Sequence, residues 1–219
     1  LKNKIAMRIS FVSLFLIFCA VFQLNAQDTD AAKKLLDQVS EKIASFKTMK
    51  FDFNYVLENR QENIKQETSG SVTVSGDRYK LLFLGAEQLF DGEKTYTIVP
   101  ENEEITIENL DETDEIGINP SKLLYFYKEG YAFQWDIKQK VMGRSIQFIK
   151  LIPMAENKEV SYLLLGIDSL KKTIYRLIEI GVNQTRTTLT ISNFTSNVEL
   201  AENFFTFDPS LYPDYYINQ

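Results

Sequence analysis

The chain has 219 residues, of which 44% are hydrophobic and 13% aromatic, so it can bury a sizeable core but is short for more than one domain. It contains no histidine and a single cysteine, Cys19, beside 24 basic and 30 acidic residues. This composition excludes a Ser-His-Asp or Cys-His catalytic set, a histidine metal site and an internal disulfide. The acidic balance also argues against a nucleic-acid partner, which needs clustered positive charge.

The N-terminal segment has the order of a secretory signal peptide. Lys2, Lys4 and Arg8 precede an apolar run from Ile9 to Phe22, and Leu24-Asn25-Ala26 then leads into a polar sequence. The apolar run has 14 residues, fewer than the roughly 20 that a membrane-spanning helix needs. We therefore expect a signal peptide that is cleaved after Ala26, and an exported mature protein.

Cleavage there would leave residues 27–219, which carry 21 basic and 30 acidic side chains and a net charge of −9. We expect them to form one domain, because no Pro-rich or Ser-rich linker divides them. Cys19 offers an alternative, since Leu16 stands three residues before it, as in the acylation signal of bacterial lipoproteins. The bulky Phe18 argues against acylation, because that processing needs a small residue there, and a cleaved signal peptide is favoured.

The sequence after residue 26 opens with a helical pattern and then changes to a period of two. Six apolar residues recur at helical spacing: Ala32, Leu35, Leu36, Val39, Ile43 and Phe46. From Met49 onward, short alternating runs separated by turn residues predict antiparallel strands. The predicted strands are Met49–Glu58, Ser71–Ser75, Tyr79–Leu84, Gln88–Phe90, Lys94–Val99, Glu104–Asn109, Tyr131–Lys138, Ser145–Ile152, Ser161–Ile167, Thr173–Ile180, Arg186–Phe194 and Phe204–Phe207.

An acidic connection and a second helix interrupt these strands. The acidic residues between Glu108 and Glu115 suggest a calcium site, but they lack the spacing and glycine of an EF-hand, so a solvated loop is favoured. Asn119-Pro120 then predicts the start of a short helix that ends at Gly130. Large apolar residues would cover most of its circumference, so this helix must be clamped between two apolar surfaces.

Together these elements predict a mainly β protein with helices (α+β). We expect a strongly curved, unclosed antiparallel β-barrel of about eleven strands, with the N-terminal helix and the inserted helix over its open side. Neighbouring carboxylates such as Glu103 and Glu104 would point to opposite faces of a strand, and the sequence has no phosphate-binding glycine loop. We therefore expect neither an enzyme nor a cofactor nor a metal site.

Aromatic residues alternate along three of the predicted strands. Alternation alone favours a packed barrel core over a ligand cavity. A curved sheet of about eight to eleven strands encloses more space than side chains readily fill, so an apolar cavity remains a second interpretation. The nine residues that carry this pattern are Phe51, Phe53, Tyr55, Leu57, Tyr96, Ile98, Tyr131, Phe133 and Trp135.

Several sequence pieces occur in the order and spacing of one known family. They are Asp30-Ala31-Ala32, Phe46-Lys47-Thr48-Met49, Gly70-Ser71-Val72, Gly76-Asp77-Arg78-Tyr79, the stretch Phe90–Tyr96 followed by Pro100, Asn119–Leu124, Ile191–Phe194 and Phe204–Pro209. In this order they resemble the LolA-like periplasmic lipoprotein carriers of Gram-negative bacteria, over essentially all of residues 27–219.

The resemblance implies an unclosed barrel with an apolar cavity that takes the acyl chains of lipoproteins. Such a carrier collects its cargo from an inner-membrane ABC-type transporter and delivers it to an outer-membrane acceptor across the periplasm. We expect a monomer, with the nine alternating residues in the cavity wall and a lid formed by Leu123, Leu124, Phe126 and Tyr127. In proteobacterial members an arginine helps to hold the lid closed, whereas Ser75-Gly76-Asp77 occupies the aligned stretch here, and Arg78 becomes the candidate latch.

The energetics of acyl chains explain why such a carrier is needed. Leaving an acyl chain in water costs about 0.8 kcal/mol per CH₂, or roughly 12 kcal/mol for a C16 chain.

A regulatory module is an alternative, since RseB-type envelope-stress sensors use a similar sheet to bind a partner protein. Those sensors carry an additional C-terminal domain of around a hundred residues, so the length favours the carrier. A carrier of glycolipid or another lipid is a third possibility, because apolar walls do not distinguish acyl chains.

Overall fold

The computed structural model describes residues 28–109, 125–157 and 159–218. The signal-peptide prediction lies outside these residues, as do the start of the predicted inserted helix and most of the acidic connection. One helix, α1, spans residues 28–44. The strands are β1 Met49–Asn59, β2 Ile64–Ser75, β3 Arg78–Phe83, β4 Ala86–Phe90, β5 Lys94–Val99, β6 Glu104–Asn109, β7 Tyr131–Val141, β8 Arg144–Pro153, β9 Val160–Asp168, β10 Thr173–Gly181, β11 Arg186–Ser196 and β12 Tyr216–Asn218.

All twelve strands belong to one sheet, in the order β12-β6-β5-β4-β3-β2-β1-β11-β10-β9-β8-β7. Neighbouring strands pair antiparallel, except that β12 runs parallel to β6. Since β7 and β12 stand at opposite ends of this order, the sheet is unclosed. The structure confirms the predicted fold class of a mainly β, unclosed antiparallel sheet with an N-terminal helix.

The strand predictions are confirmed from β1 to β11, although β2 begins at Ile64, seven residues before the predicted Ser71. The other strands differ from the predictions by a few residues at their ends. The predicted strand Phe204–Phe207 is wrong, because this segment forms turns and an irregular stretch, and the last strand is Tyr216–Asn218. An alternating Phe-x-Phe pattern also occurs in an irregular segment that packs its aromatic rings against the surface of a sheet without being one of its strands. That is the arrangement found here, with Phe207 stacked on Tyr96 at 4.5 Å between ring centroids.

Two-residue turns connect several of the hairpins. Leu84-Gly85 joins β3 to β4, and Met142-Gly143 joins β7 to β8. Both residues of each turn have positive φ, 54° and 79° in the first and 47° and 77° in the second. This backbone matches the right-handed twist of the flanking strands, and it strongly prefers Gly or Asn. Leu84 and Met142 therefore occupy positions that are unfavourable for a large side chain.

The face of the sheet that α1 covers, called the inner face below, holds the main core. Ala32, Leu36 and Val39 of α1 are at most 3% exposed, and they pack with residues from β1, β2 and β8–β11. Full burial of a leucine or valine side chain such as Leu36 or Val39 contributes about 1.5–3 kcal/mol. The helical spacing of the apolar residues thus explains both why α1 forms and which of its faces is buried.

The opposite face, called the outer face, has its own cover over β3–β6. Tyr79 and Phe90 are register partners on the inner side, so Leu89 and Tyr96 point outward. Leu89, Ile98 and Ile105 are nevertheless buried, because the C-terminal segment 199–215 lays Phe205 and Phe207 against this region. The N-terminal helix therefore covers the inner face, and the C-terminal segment covers the outer face of β3–β6.

Gly70 lies in the middle of β2, opposite Phe53 of β1. A Cβ atom at this position would stand 2.9 Å from Phe53 Cε1 and 2.7 Å from the carbonyl oxygen of Leu82, and would also overlap Phe53 Cζ. The missing side chain makes room for the Phe53 ring, which packs against Phe83 at 5.4 Å. Gly70 is thus a close-approach position within a strand, and not the turn or bulge residue that a glycine beside a short strand suggests.

Gly70→Ala should lower the free energy of unfolding by about 1–3 kcal/mol, because the new methyl group displaces the Phe53 ring from its packed position. Urea unfolding followed by circular dichroism measures this change. The control is Ser71→Ala on the next, outward-facing position of the same strand, which should stay within about 0.5 kcal/mol of the wild type. Equal stability of the two variants would contradict this account of Gly70.

Candidate functional site

Two strands that stand far apart in the sheet place aromatic residues on the same inner face. On β1, Phe53 pairs with Ile191, and on β7, Trp135 pairs with Ile149. Both partners belong to the core that α1 covers. The structure therefore brings the alternating residues of the two strands to one side of the sheet.

These inner-face residues differ in how far they are covered. Phe51 and Phe53 are each 6% exposed, and Phe51 stacks on Phe194 in the core. A second group packs against the core but is only partly buried, so each of its members leaves apolar surface uncovered. This group, called the aromatic wall below, consists of Tyr55, Tyr131, Phe133 and Trp135; Leu57 is partly buried on the same face.

Tyr96 and Ile98 do not join this wall, which corrects the sequence prediction. They lie on the outer face, where Tyr96 donates a hydrogen bond to Asp91 Oδ2 at 2.9 Å and Ile98 is 3% exposed. The alternation in β5 is real, but its apolar side packs under the C-terminal segment. Alternation identifies which residues share a face, while strand pairing decides which face that is.

Arg78 also lies on the outer face, since its neighbour Tyr79 points into the core. Its guanidinium carbon stands 5.1 Å from the centre of the Phe205 ring, a cation–π arrangement with the C-terminal segment. Lys80, two residues later, lies over Phe204 in the same way at 5.4 Å. The two cations hold the C-terminal segment, and Arg78 is not placed to latch a lid over the inner face.

Part of the predicted lid lies against the inner face. Leu123 and Leu124 lie outside the described residues, while Phe126–Lys128 form one turn of 3₁₀ helix. Tyr127 is 1% exposed, and its hydroxyl lies 2.9 Å from the Ser40 hydroxyl of α1, within hydrogen-bonding distance. Phe126 packs edge-to-face on Tyr131 at 5.8 Å. The segment thus connects α1 to the aromatic wall, with Tyr127 as core and Phe126 beside the partly exposed residues.

Glu179 places a carboxyl group on the same apolar face, which the sequence analysis did not identify. Leu177 of β10 points inward and Ile178 outward, so Glu179 points inward, and its register partners are Leu163 and Thr187. Burial raises the pKa of this carboxyl above its ordinary value of 4.5, and the Glu159 carboxylate adds to the rise. Burial likewise raises the pKa of the Tyr131 phenol, with a further contribution from Glu179.

A signal for Glu179 is present in the sequence, because the alternation through Thr173–Ile180 puts it in phase with Leu177. A charged residue at an apolar position is informative when it is buried without a compensating cation. In the described parts of the chain, Glu179 takes part in neither a salt bridge nor a side-chain hydrogen bond. The carboxyl therefore lies on a mainly apolar inner surface, beside Leu163 and Leu177.

A groove of about 710 Å³ lies along β1–β4, and none of the four residues of the aromatic wall lines it. Its lining is mixed, with Asp52, Asn54 and Ser71 next to Leu82 and Leu84. Asp52 accepts a hydrogen bond from Asn193 and Asn54 donates one to Glu67, so two of its polar groups are already paired. This mixed lining suits an acyl chain less well than the mainly apolar inner face does.

Metal and membrane-spanning features are absent from the described ranges. No group of three acidic or cysteine side chains within them could hold a metal ion. Within the same ranges no helix is both long and apolar enough to cross a membrane.

Glu179→Gln should stabilise the protein increasingly as the pH rises. In the unfolded chain this carboxyl ionises near its ordinary pKa of 4.5, whereas the folded protein holds the proton to higher pH. The stability that the protonated carboxyl contributes is thus present below about pH 4.5 and is lost as the pH rises through the raised pKa. Urea unfolding between about pH 4 and 8 should show the variant gaining on the wild type. A stability difference that stays constant over this range would contradict the raised pKa of Glu179.

Comparisons with known proteins give a structural likeness at low sequence identity. No protein-family model and no curated protein sequence matches the chain. An uncharacterized conserved protein from Thermus thermophilus has a similar structure, with a TM-score of 0.54 and 11% identity over 85% of this chain and 98% of that one. This likeness shows a shared fold.

Other similar structures have lower TM-scores. The Mycobacterium tuberculosis lipoprotein LppX gives 0.49 at 13% identity, covering 78% of this chain and 99% of that one. A LolA superfamily protein from Nitrosomonas europaea gives 0.43 at 10% identity, covering 80% of this chain and 97% of that one. The unclosed antiparallel sheet with its helix on the inner face is the architecture that the sequence analysis predicts.

Proposed function

We propose that this protein carries the acyl chains of lipoproteins on the inner face of its sheet and takes them from the inner to the outer membrane. The observation that carries the proposal is the aromatic wall, whose four members are packed against the core yet only partly covered. Partly covered aromatic residues on the inner side of an unclosed sheet offer an apolar surface without a flat, open patch. That surface is where we expect acyl chains to bind.

The balance of binding and release supports such a wall. An acyl chain gains about 0.8 kcal/mol for each CH₂ group that leaves water, so a long chain needs only loose apolar contact to be retained. Close complementarity would hold the cargo too tightly for delivery. Broad aromatic rings at the edge of a core provide area without a rigid, fully enclosed pocket.

The proposal includes the compartment and the partners. The protein would work in the periplasm after removal of residues 1–26, accept cargo from an inner-membrane ABC-type transporter and give it to an outer-membrane acceptor. It would act as a monomer and catalyse no reaction. The sequence resemblance supports these assignments. The most specific of them is that the cargo is a lipoprotein.

Mass spectrometry of the protein purified from its native periplasm identifies the cargo class. Triacylated proteins bound to it would support lipoprotein transport. If another lipid is the only bound molecule, the protein is a carrier of that lipid and not of lipoproteins. If no lipid is bound and only a partner protein co-purifies, the result favours the regulatory alternative, in which a similar sheet binds a partner protein.

The fluorescence of Trp135, the one tryptophan of the chain, tests whether the wall binds acyl chains. A long-chain acyl ligand should shift its emission, because the ligand replaces water around a partly buried indole. A chain brominated near its end should quench the emission, while the unbrominated chain of equal length is the control. Unchanged emission with both ligands, at concentrations that saturate other lipid carriers, would contradict the proposed site.

Phe133→Ala and Phe51→Ala separate wall residues from core residues. Phe51 is 6% exposed, so its truncation should cost about 3–5 kcal/mol of unfolding free energy. Phe133 already lacks neighbours on one side, so its truncation should cost clearly less while weakening acyl binding. Urea unfolding and the acyl titration give the two quantities. A loss of stability at Phe133 as large as at Phe51, with unchanged binding, would make Phe133 ordinary core.

A further inference from the structure

Two neighbouring hairpins expose large apolar residues at their tips. Met142, between β7 and β8, is 94% exposed, and Leu170, between β9 and β10, is 88% exposed. The tips belong to one surface, because β8 pairs with β9 and the Ser169 amide donates a hydrogen bond to the Ser145 carbonyl at 2.9 Å. These are the two most exposed large apolar side chains among the described residues.

The backbone of both tips is defined by local interactions. Met142 has φ of 47°, a conformation in which Gly or Asn is the usual residue, so turn chemistry does not explain a methionine there. In the other hairpin, Asp168 is 3% exposed and its carboxylate accepts hydrogen bonds from the Leu170 and Lys171 amides, both at 3.0 Å. This turn holds Leu170 outward at the tip.

Basic side chains surround the two tips. Lys140 and Arg144 flank Met142, and Lys171 and Lys172 follow Leu170. Residues 137–145 and 169–173 contain no acidic residue, although the chain as a whole has a net charge of −6. Asp168, which directly precedes the second tip in the sequence, is buried and engaged in its turn. The arrangement is an apolar pair within a local positive field on an otherwise acidic protein.

We propose that these six residues form a docking surface for an anionic lipid bilayer, called the tip patch. Anionic head groups would meet the basic side chains while Met142 and Leu170 enter the boundary between head groups and acyl chains. Charge complementarity favours an anionic bilayer as the partner. The negative head groups repel the acidic remainder of the protein and attract the basic side chains, so the protein approaches the membrane with the tip patch foremost. The surface lies at the ends of β7–β10, and its action is separate from acyl binding at the wall.

The strength expected of the patch is modest and reversible. Each basic side chain near an anionic bilayer strengthens binding roughly fivefold, and high salt weakens the attraction. Two apolar side chains are too few for permanent anchoring. A carrier that visits membranes and leaves them again needs association in this range.

Co-flotation of the ligand-free protein with vesicles tests the patch. We expect binding to vesicles of phosphatidylglycerol and phosphatidylethanolamine, little binding to phosphatidylcholine vesicles, and loss of binding at high salt. Replacing both tips, Met142→Ser with Leu170→Ser, should weaken binding by at least about tenfold, and so should Lys171→Gln with Lys172→Gln.

Matched control variants make the same kinds of substitution, lysine to glutamine and leucine to serine, at sites outside the tip patch. Lys33→Gln with Lys34→Gln removes an adjacent, exposed lysine pair from α1, and Leu211→Ser removes an apolar residue that is 70% exposed. Both should bind like the wild type. Equal binding to both kinds of vesicle, binding to neither, or tip variants that bind like these controls would overturn the tip patch. None of these outcomes bears on acyl binding, which the Trp135 titration measures separately.

Discussion

The structure depends on covering an apolar sheet face that the sheet itself does not close. A closed barrel packs its interior with side chains from all its strands, whereas this sheet ends at β7 and β12 and leaves its inner face open. Helix α1 supplies the missing surface, and Ala32, Leu36 and Val39 are almost fully buried in doing so. The contact between Ser40 and Tyr127 adds the segment before β7 to the same cover. Every apolar residue that α1 does not reach must find another neighbour or remain partly exposed.

The outer face also carries apolar residues that must be covered, and there the cover is the C-terminal segment. On β3–β6 the apolar residues Leu89, Ile98 and Ile105 point away from α1, and water would meet them if the chain ended at β11. The C-terminal segment covers them with Phe205 and Phe207, and Arg78 and Lys80 lie on its aromatic rings. Its last strand then pairs with β6, so that this edge of the sheet is occupied.

The aromatic wall follows from the incomplete reach of α1. Phe51 and Phe53 lie in the core, while Tyr55 on the same strand and the aromatic residues of β7 are only partly covered. Glu179 lies on this face without a cation partner among the described residues, and its raised pKa reflects the low polarity around it. The wall and the carboxyl together define a surface that is apolar but still open to a ligand, which is the physical basis of the proposed carrier function.

The sequence by itself determined the strands, the helix and the residues that share a face, because these follow from periods of 2 and 3.6 residues and from local turn chemistry. Eleven of the predicted strands are found, and within β1 and within β7 the alternating aromatic residues share one face. Tertiary structure alone decided that Tyr96 and Ile98 face outward, that Arg78 holds the C-terminal segment, and that Gly70 makes room for Phe53. These facts depend on which strands pair and on what covers each face, and both are long-range choices that no local period contains.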